Sequence, residues 1–287
     1  GKSYAGEERR LLYLMTRFVQ PEVIVEFSPK RGWSTAHMAA ALERNGKGEI
    51  ISFELDPNYA WAARRTLRRL GLGHRARFVV GDVREELPRV YEALQRSRGV
   101  TGLDFLFIDS DHGKPFARWY IDNLFPLVRR DGMIHVHDIQ AAAERVVGGE
   151  AIFPEPTGEE RLLARYLTER PHHYCWFSVS ELVRDEGYLA AVRPFGGGRL
   201  AFPADPGRPL HPVERTLGFE RNPTLWITRI GEQETTRYPG RPFVPLMTTL
   251  GERLGYTVRK RLAFVYAPLR EQRILARRRA KLAREQR

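Results

Sequence analysis

Two short stretches set carboxylates beside imidazoles: Phe107-Ile108-Asp109-Ser110-Asp111-His112 and His135-Val136-His137-Asp138-Ile139. Imidazole titrates near neutrality, so His112 or His137 could take a proton from a reacting hydroxyl, with Asp109 alongside. The same acids offer a second chemistry, because Asp109 and Asp138 could hold Mg2+, a hard cation that prefers oxygen ligands and retains water. Three further acids, Glu26, Glu54 and Asp82, stand at or just past the ends of apolar runs. Each alone is an ordinary loop residue; together, after successive runs of one pattern, they point to a shared site.

The pattern is strand, turn, helix, repeated. A helix over Glu7 to Val19 leads in, with Leu11, Leu12, Leu14, Met15, Phe18 and Val19 at helical spacing and Gln20-Pro21 as its stop. Val23 to Phe27 then predicts a strand and Trp33 to Arg44 a helix. The unit recurs as strand Glu49 to Glu54 with helix Pro57 to Leu70, and strand Ala76 to Val80 with helix Val83 to Gln95. It closes with strand Leu103 to Asp109, helix Lys114 to Val128 and strand Met133 to His137. Alternation at this spacing predicts an α/β, doubly wound, mostly parallel seven-stranded sheet with helices on both faces. Right-handed crossovers bring the carboxyl ends of the strands, and with them the acids, to one edge. Adjacent parallel strands lie about 4.8 Å apart, close enough for Asp109 and Asp138 to converge there.

Beyond the fifth strand the pattern loosens through Gly148 and Gly149. Pro156-Thr157-Gly158-Glu159-Glu160 offers a capping-box start to a helix reaching about Arg170. His173 to Val179 and Thr224 to Ile230 predict two late strands forming an antiparallel hairpin, interrupted by a helix at Glu181 to Ala191 and a glycine- and proline-rich stretch. The main domain is set at residues 1–232, with an insertion at about 183–222 suited to covering an acceptor. Residues 233–287 form a C-terminal appendage, with a short helix near Leu246 to Leu254 and a long basic helix from about Val258.

The first turn, Glu26-Phe27-Ser28-Pro29-Lys30-Arg31-Gly32-Trp33-Ser34-Thr35, resembles the first motif of class I S-adenosylmethionine-dependent methyltransferases, an acid followed by a glycine-spaced turn. Ser28 and Lys30 stand where the family usually has glycines, and Gly32 keeps its place. Lys30 must therefore point away from the ligand or contact its carboxylate. The resemblance implies S-adenosylmethionine bound by Glu26, Phe27, Ser28, Gly32, Trp33, Ser34, Glu54, Asp82, Val83 and Asp109. Glu54 would accept from the ribose hydroxyls, Asp82 would meet the adenine amino group, and Glu26 would face the donor's ammonium or stabilise the loop. The acids after strands four and five, with Phe116-Ala117-Arg118-Trp119-Tyr120, resemble methyltransferases that modify hydroxyls on sugars, natural products or catechols. Catechol-type members carry an amide after the second acid, where this chain has Ile139. Asp109, His112 and His137 are the catalytic candidates, with His112 preferred as base.

Rival classes fare less well. A nicotinamide enzyme shares the sheet and the ribose acid, but its G-x-G-x-x-G turn is absent. An N-methylating nucleic-acid enzyme would often show an Asn/Asp-Pro-Pro-aromatic loop where Asp109-Ser110-Asp111-His112 stands. The formal net charge of +12 is concentrated in residues 251–287, which hold 12 Lys+Arg against 3 Asp+Glu. This basic tail sustains an RNA methyltransferase as the alternative, although a solvated helix face or a homo-oligomer contact explains it as well. A non-catalytic binding protein on the same fold is the remaining alternative, motivated by Ser28 and Lys30. Cys175, the sole cysteine, is a core residue between Tyr174 and Trp176 and excludes an internal disulfide. His135 is expected to be packed inside its strand. No run approaches the 18 apolar residues of a membrane span, and the expectation is a cytoplasmic protein.

Overall fold

The computed structural model describes residues 6–137, 145–147, 150–152, 158–178, 225–243, 251–258 and 261–262. Helix α1 (Gly6–Val19) precedes β1 (Val23–Phe27), α2 (Trp33–Asn45), β2 (Glu49–Glu54), α3 (Pro57–Arg69), β3 (Ala76–Val80) and α4 (Val83–Arg98). Next come β4 (Leu103–Ile108), α5 (Lys114–Asn123), β5 (Val128–Val136), the short strands β6 (Arg145–Val147) and β7 (Glu150–Ile152), α6 (Gly158–Thr168), β8 (Tyr174–Ser178) and β9 (Leu225–Arg229). The seven-stranded sheet has the order β3-β2-β1-β4-β5-β9-β8. Strands β1 to β5 are parallel, and β9 runs antiparallel to both β5 and β8, so the late hairpin closes the sheet as expected.

Alternation along each strand divides the core. Val25, Phe27, Ile51 and Phe53 join Leu87 and Tyr91 of α4, Phe116 and Tyr120 of α5, and Leu163 of α6 on one face. Ile24, Ile50, Phe105 and Phe107 join Leu12 of α1, Met38 and Leu42 of α2, and Leu67 of α3 on the other. With both faces covered, the strands read as nearly continuous apolar runs. Glu26 lies on the same side as Ile24, which aims it at α2.

Two boundaries differ from the sequence reading. Helix α5 ends at Asn123, and a 3-10 turn over Phe125–Leu127 takes Pro126, which lacks the N–H that a helix interior needs. Strand β5 starts at Val128 rather than Met133, with a register irregularity against β4 between Leu103 and Phe105. Asp131, at φ 62°, and Gly132 fall inside it. A Cβ on Gly132 would lie 2.8 Å from the Arg129 carbonyl oxygen, so only glycine fits. The hairpin of β6 and β7 was missed, although Gly148-Gly149 between them is a two-residue turn signal.

Two buried polar groups tie the sheet together. Asp104 accepts from the amides of Glu22 and Val23 at 2.8 and 2.9 Å and pairs with Arg129 at 2.5 Å, joining the start of β1 to β4. Arg229, fully buried, donates to the carbonyls of Phe125 and Glu232 and to the Tyr174 hydroxyl. Residues 233–243 run back over α4 and α5: Gln233 donates to the Thr101 and Leu127 carbonyls, Tyr91 and Gln95 to that of Thr236, and Trp119 Nε1 to the Tyr238 hydroxyl. Residues 251–258 are helical. The insertion expected at about 183–222, and all but residues 258 and 261–262 of the basic helix expected from about Val258, lie outside the described residues. Among the described residues no helix is long and apolar enough to cross a membrane.

Candidate active site

Sheet register assembles the site. Phe27 pairs with both Phe53 and Ile108, Glu54 pairs with Val80, and Ile108 pairs with Val136. Ser28, Glu54, Asp82, Asp109 and His137 therefore all emerge at the carboxyl edge, on five neighbouring strands.

The β1–α2 turn takes three left-handed residues, Ser28 (φ 55°), Lys30 (φ 49°) and Gly32 (φ 79°). Gly32 answers two demands at once, because a Cβ there would lie 3.0 Å from the Ala63 Cα in α3. The side chains at 28 and 30 do not prevent the turn; each pays the ~1–2 kcal/mol of a left-handed residue. The amide of Ser28 donates to the Phe53 carbonyl at 2.9 Å, and that of Lys30 to Glu54 Oε2 at 3.1 Å. The Lys30 side chain, 63% exposed, turns across the site mouth, its Nζ 3.9 Å from Asp109 Oδ2.

Glu26 is wholly enclosed. Ser34 Oγ donates to its Oε1 at 2.7 Å, and Thr35 Oγ1 and Ser52 Oγ donate to its Oε2 at 2.8 and 2.7 Å. Burial pushes its carboxyl up to about 7, against the pull of those three hydroxyls. Of the two roles expected for Glu26, this geometry is that of a loop anchor, and Ser34 spends its hydroxyl on the same anchor. Phe27 packs in the core against Phe53, Phe116 and Trp119, leaving its backbone at the turn. Trp33 is 44% exposed at the start of α2. Glu54 is buried and receives the amides of Lys30 and Asp56; burial raises its carboxyl in spite of both.

Asp82 caps α4 through the Arg84 amide at 3.0 Å and grips the Arg84 guanidinium at 3.0 and 2.7 Å. Val83, buried, opens that helix. Arg84 in turn sits 4.8 Å from the ring of Phe243. Tyr256, from the helix at 251–258, has a buried hydroxyl with no hydrogen-bond partner among the described residues. Burial raises it, and the carboxylates of Glu86, Glu54, Asp82 and Asp56 add to that rise, which sets this hydroxyl facing the acids at the ends of β2 and β3.

On the far side of the turn, Asp109 Oδ1 lies 3.5 Å from His137 Nδ1. Burial would raise the Asp109 carboxyl, but His137, Lys30 and His112 outweigh it and hold it below its ordinary value. Ser28 Oγ and Ser110 Oγ meet at 3.3 Å, joining the two turns. Asp111 accepts from the Gly113 amide at 2.9 Å, a local turn bond ahead of α5. His112, one-third exposed, places Nδ1 2.7 Å from Glu159 Oε2. Glu159 is completely buried, and its Oε1 accepts from the Tyr120 hydroxyl at 2.8 Å. Asp138 lies outside the described residues, and among those described no cluster of three His, Cys, Asp or Glu could hold a metal. His135 is packed between Phe107 and Trp226, with ring centroids 5.0 and 4.0 Å away, and Cys175 is buried, both as expected.

A family described as a methyltransferase domain matches residues 25–139, the span from β1 to just beyond β5. The segment from β1 to just past β5 is therefore similar to that methyltransferase domain. A catechol O-methyltransferase of Niastella koreensis is 30% identical over 118 residues, which are 41% of this chain and 50% of that protein. The chain thus spans about half the length of the curated relative it matches. Among solved structures, the O-methyltransferase TomG from Streptomyces achromogenes, in complex with SAM, superposes with a TM-score of 0.52 at 18% identity, covering 80% of this chain and 82% of its own. An O-methyltransferase from Bacillus cereus, in complex with SAH, gives 0.51 at 15% identity, covering 79% and 82%. At such identities these two report the fold.

Within the matched segment the described residues singled out from sequence gather at one sheet edge; what sequence missed lies at its margins. Glu159 belongs to α6, outside the matched segment, and looked like one acid of a helix start. Arg84 carries no motif. Tyr256 lies in the helix at 251–258, outside the matched segment, and carries no motif.

Proposed function

We propose that this chain transfers a methyl group from S-adenosylmethionine to a hydroxyl oxygen of a small molecule, a catechol, natural product or sugar. The observation that carries the reading is the convergence of the Ser28–Gly32 turn, Glu54 and Asp109 at one sheet edge, with His112 beside them. The buried Glu54 carboxylate suits paired ribose hydroxyls, and the left-handed turn exposes backbone where a donor would approach. Phe27, Ser28, Gly32, Trp33 and Ser34 would frame the donor's amino-acid end. Asp82 and Val83 would border the adenine, and Glu26 would act from behind by fixing the turn. When bound, S-adenosylmethionine would supply an electrophilic methyl on its sulfonium.

Transfer to oxygen requires the acceptor's proton to leave. His112 takes it in this reading, while Asp109, held ionised by His137 and Lys30, orients the acceptor and stabilises positive charge nearby. Mg2+ is the other way to polarise a hydroxyl. Asp109 faces the Lys30 ammonium at 3.9 Å, and Asp138, its partner in the metal reading, lies outside the described residues.

Catechol serves as the probe acceptor, with methylated product followed by mass spectrometry. His112→Ala is expected to lower turnover by about 10²–10⁴-fold while leaving donor affinity unchanged. Full turnover by that variant would remove His112 as the base.

A further inference from the structure

We infer that Glu159 is the positioning residue for His112, fixing which ring nitrogen carries the proton and leaving the other as the base. The inference rests on the proposed role of His112 and adds a residue that lies outside the matched methyltransferase segment.

The geometry is that of a carboxylate held rigid for one purpose. Glu159 is fully buried, and among the described residues its oxygens meet Tyr120 Oη at 2.8 Å on Oε1 and His112 Nδ1 at 2.7 Å on Oε2. An ionised carboxylate only accepts, so the Nδ1 that faces it must donate. In the neutral ring the proton then sits on Nδ1 and the lone pair on Nε2. Burial sharpens the effect, because a carboxylate away from water interacts more strongly with the imidazolium that forms when His112 takes a proton.

Packing explains how the acid arrives there. Gly158, the first residue of α6, lies against α5, where a Cβ would be 3.0 Å from the Lys114 Cβ. That close approach sets the first turn of α6 beside the start of α5 and carries Glu159 inward, under the loop that bears His112. Tyr120, also fully buried, projects from the middle of α5 to the same carboxylate and holds its second oxygen. A buried acid serving only stability would need partners, but it would not need a one-third exposed imidazole at the catalytic edge as one of them.

The test reads the imidazole directly. In chain labelled with ¹⁵N-histidine, the His112 signals are identified by their loss in His112→Ala, and ring nitrogen shifts are followed against pH. The expected result is a neutral ring protonated at Nδ1 in the parent chain. In Glu159→Gln its titration midpoint should fall by about 1–3 pH units, the effect of removing a nearby opposite charge. An unchanged midpoint would overturn the inference. Should Glu159→Gln fail to fold, the parent spectrum decides alone: a neutral ring protonated at Nε2 would overturn it. With catechol as acceptor, Glu159→Gln should lower kcat with little change in KM, Glu159→Asp should recover part of the loss, and Glu159→Gln should cost nothing further in the His112→Ala background. An equal loss in that background would mark Glu159 as merely structural. If His112→Ala itself keeps full turnover, the base assignment fails, while the ring-nitrogen result still reports on Glu159.

Discussion

Glu26→Gln isolates the strangest group in the site, a carboxyl enclosed by three hydroxyls and titrating at about 7 instead of the ordinary 4.5. Between those two values the folded chain keeps a proton that the unfolded chain has released. Stability from this group is therefore complete below about pH 4.5, declines through the window, and is lost above about pH 7. At ~1.4 kcal/mol per pH unit, the decline amounts to about 3 kcal/mol for this fully buried side chain. Glutamine is uncharged at every pH and nearly the same shape, and the hydroxyls of Ser34, Thr35 and Ser52 can rotate to donate or accept. Urea denaturation of both proteins from pH 4.5 to 8 should show the variant gaining on the parent by about 3 kcal/mol as pH rises. Parallel profiles would refute the reasoning, because they would mean that Glu26 titrates alike in the folded and unfolded chain.

Other consequences follow from single contacts. Gly32→Ala must force a left-handed alanine against the Ala63 backbone; a loss of about 1–3 kcal/mol in stability is expected, together with weaker S-adenosylmethionine binding, both measurable by thermal shift with and without donor. Arg229→Met strips the partner from the carbonyls of Phe125 and Glu232 and from the Tyr174 hydroxyl, all met by one buried guanidinium; denaturant unfolding should show a loss of about 3–5 kcal/mol. Turnover of catechol should survive thorough chelation and should not rise on adding Mg2+, since His112 takes the acceptor's proton without a cation polarising the hydroxyl; abolition by chelator would return activation of the hydroxyl to a cation held by Asp109 and Asp138.

The sheet was legible because its signals are local and repeated: five apolar runs, the first four each followed by a turn and a helix, leave few topologies once crossovers are right-handed. The edge acids were legible for the same reason, since strand ends in such a sheet share one rim. What escaped depended on contacts between distant elements. The start of β5 was misplaced because the irregular pairing of Leu103 with Val128 and Phe105 with Met133 is a property of two strands together. Glu159 was read as a helix start because nothing in Thr157-Gly158-Glu159-Glu160 says which neighbour its carboxylate will meet. The role of Glu26 was half legible: its position at the end of β1 was clear, but the hydroxyls that enclose it come from α2 and β2, and only the fold brings Ser52 to within 2.7 Å.

Calorimetric titration of the chain with S-adenosylmethionine, repeated with Glu54→Ala, bears most directly on the central claim that the carboxyl edge of β1, β2 and β3 is a donor cleft. The account predicts one binding site per chain in the parent and a loss of about tenfold or more in affinity without the ribose-facing carboxylate, as for a hydrogen bond to a charged group. Absence of binding heat in the parent across temperatures, or equal affinity in the variant, would contradict it.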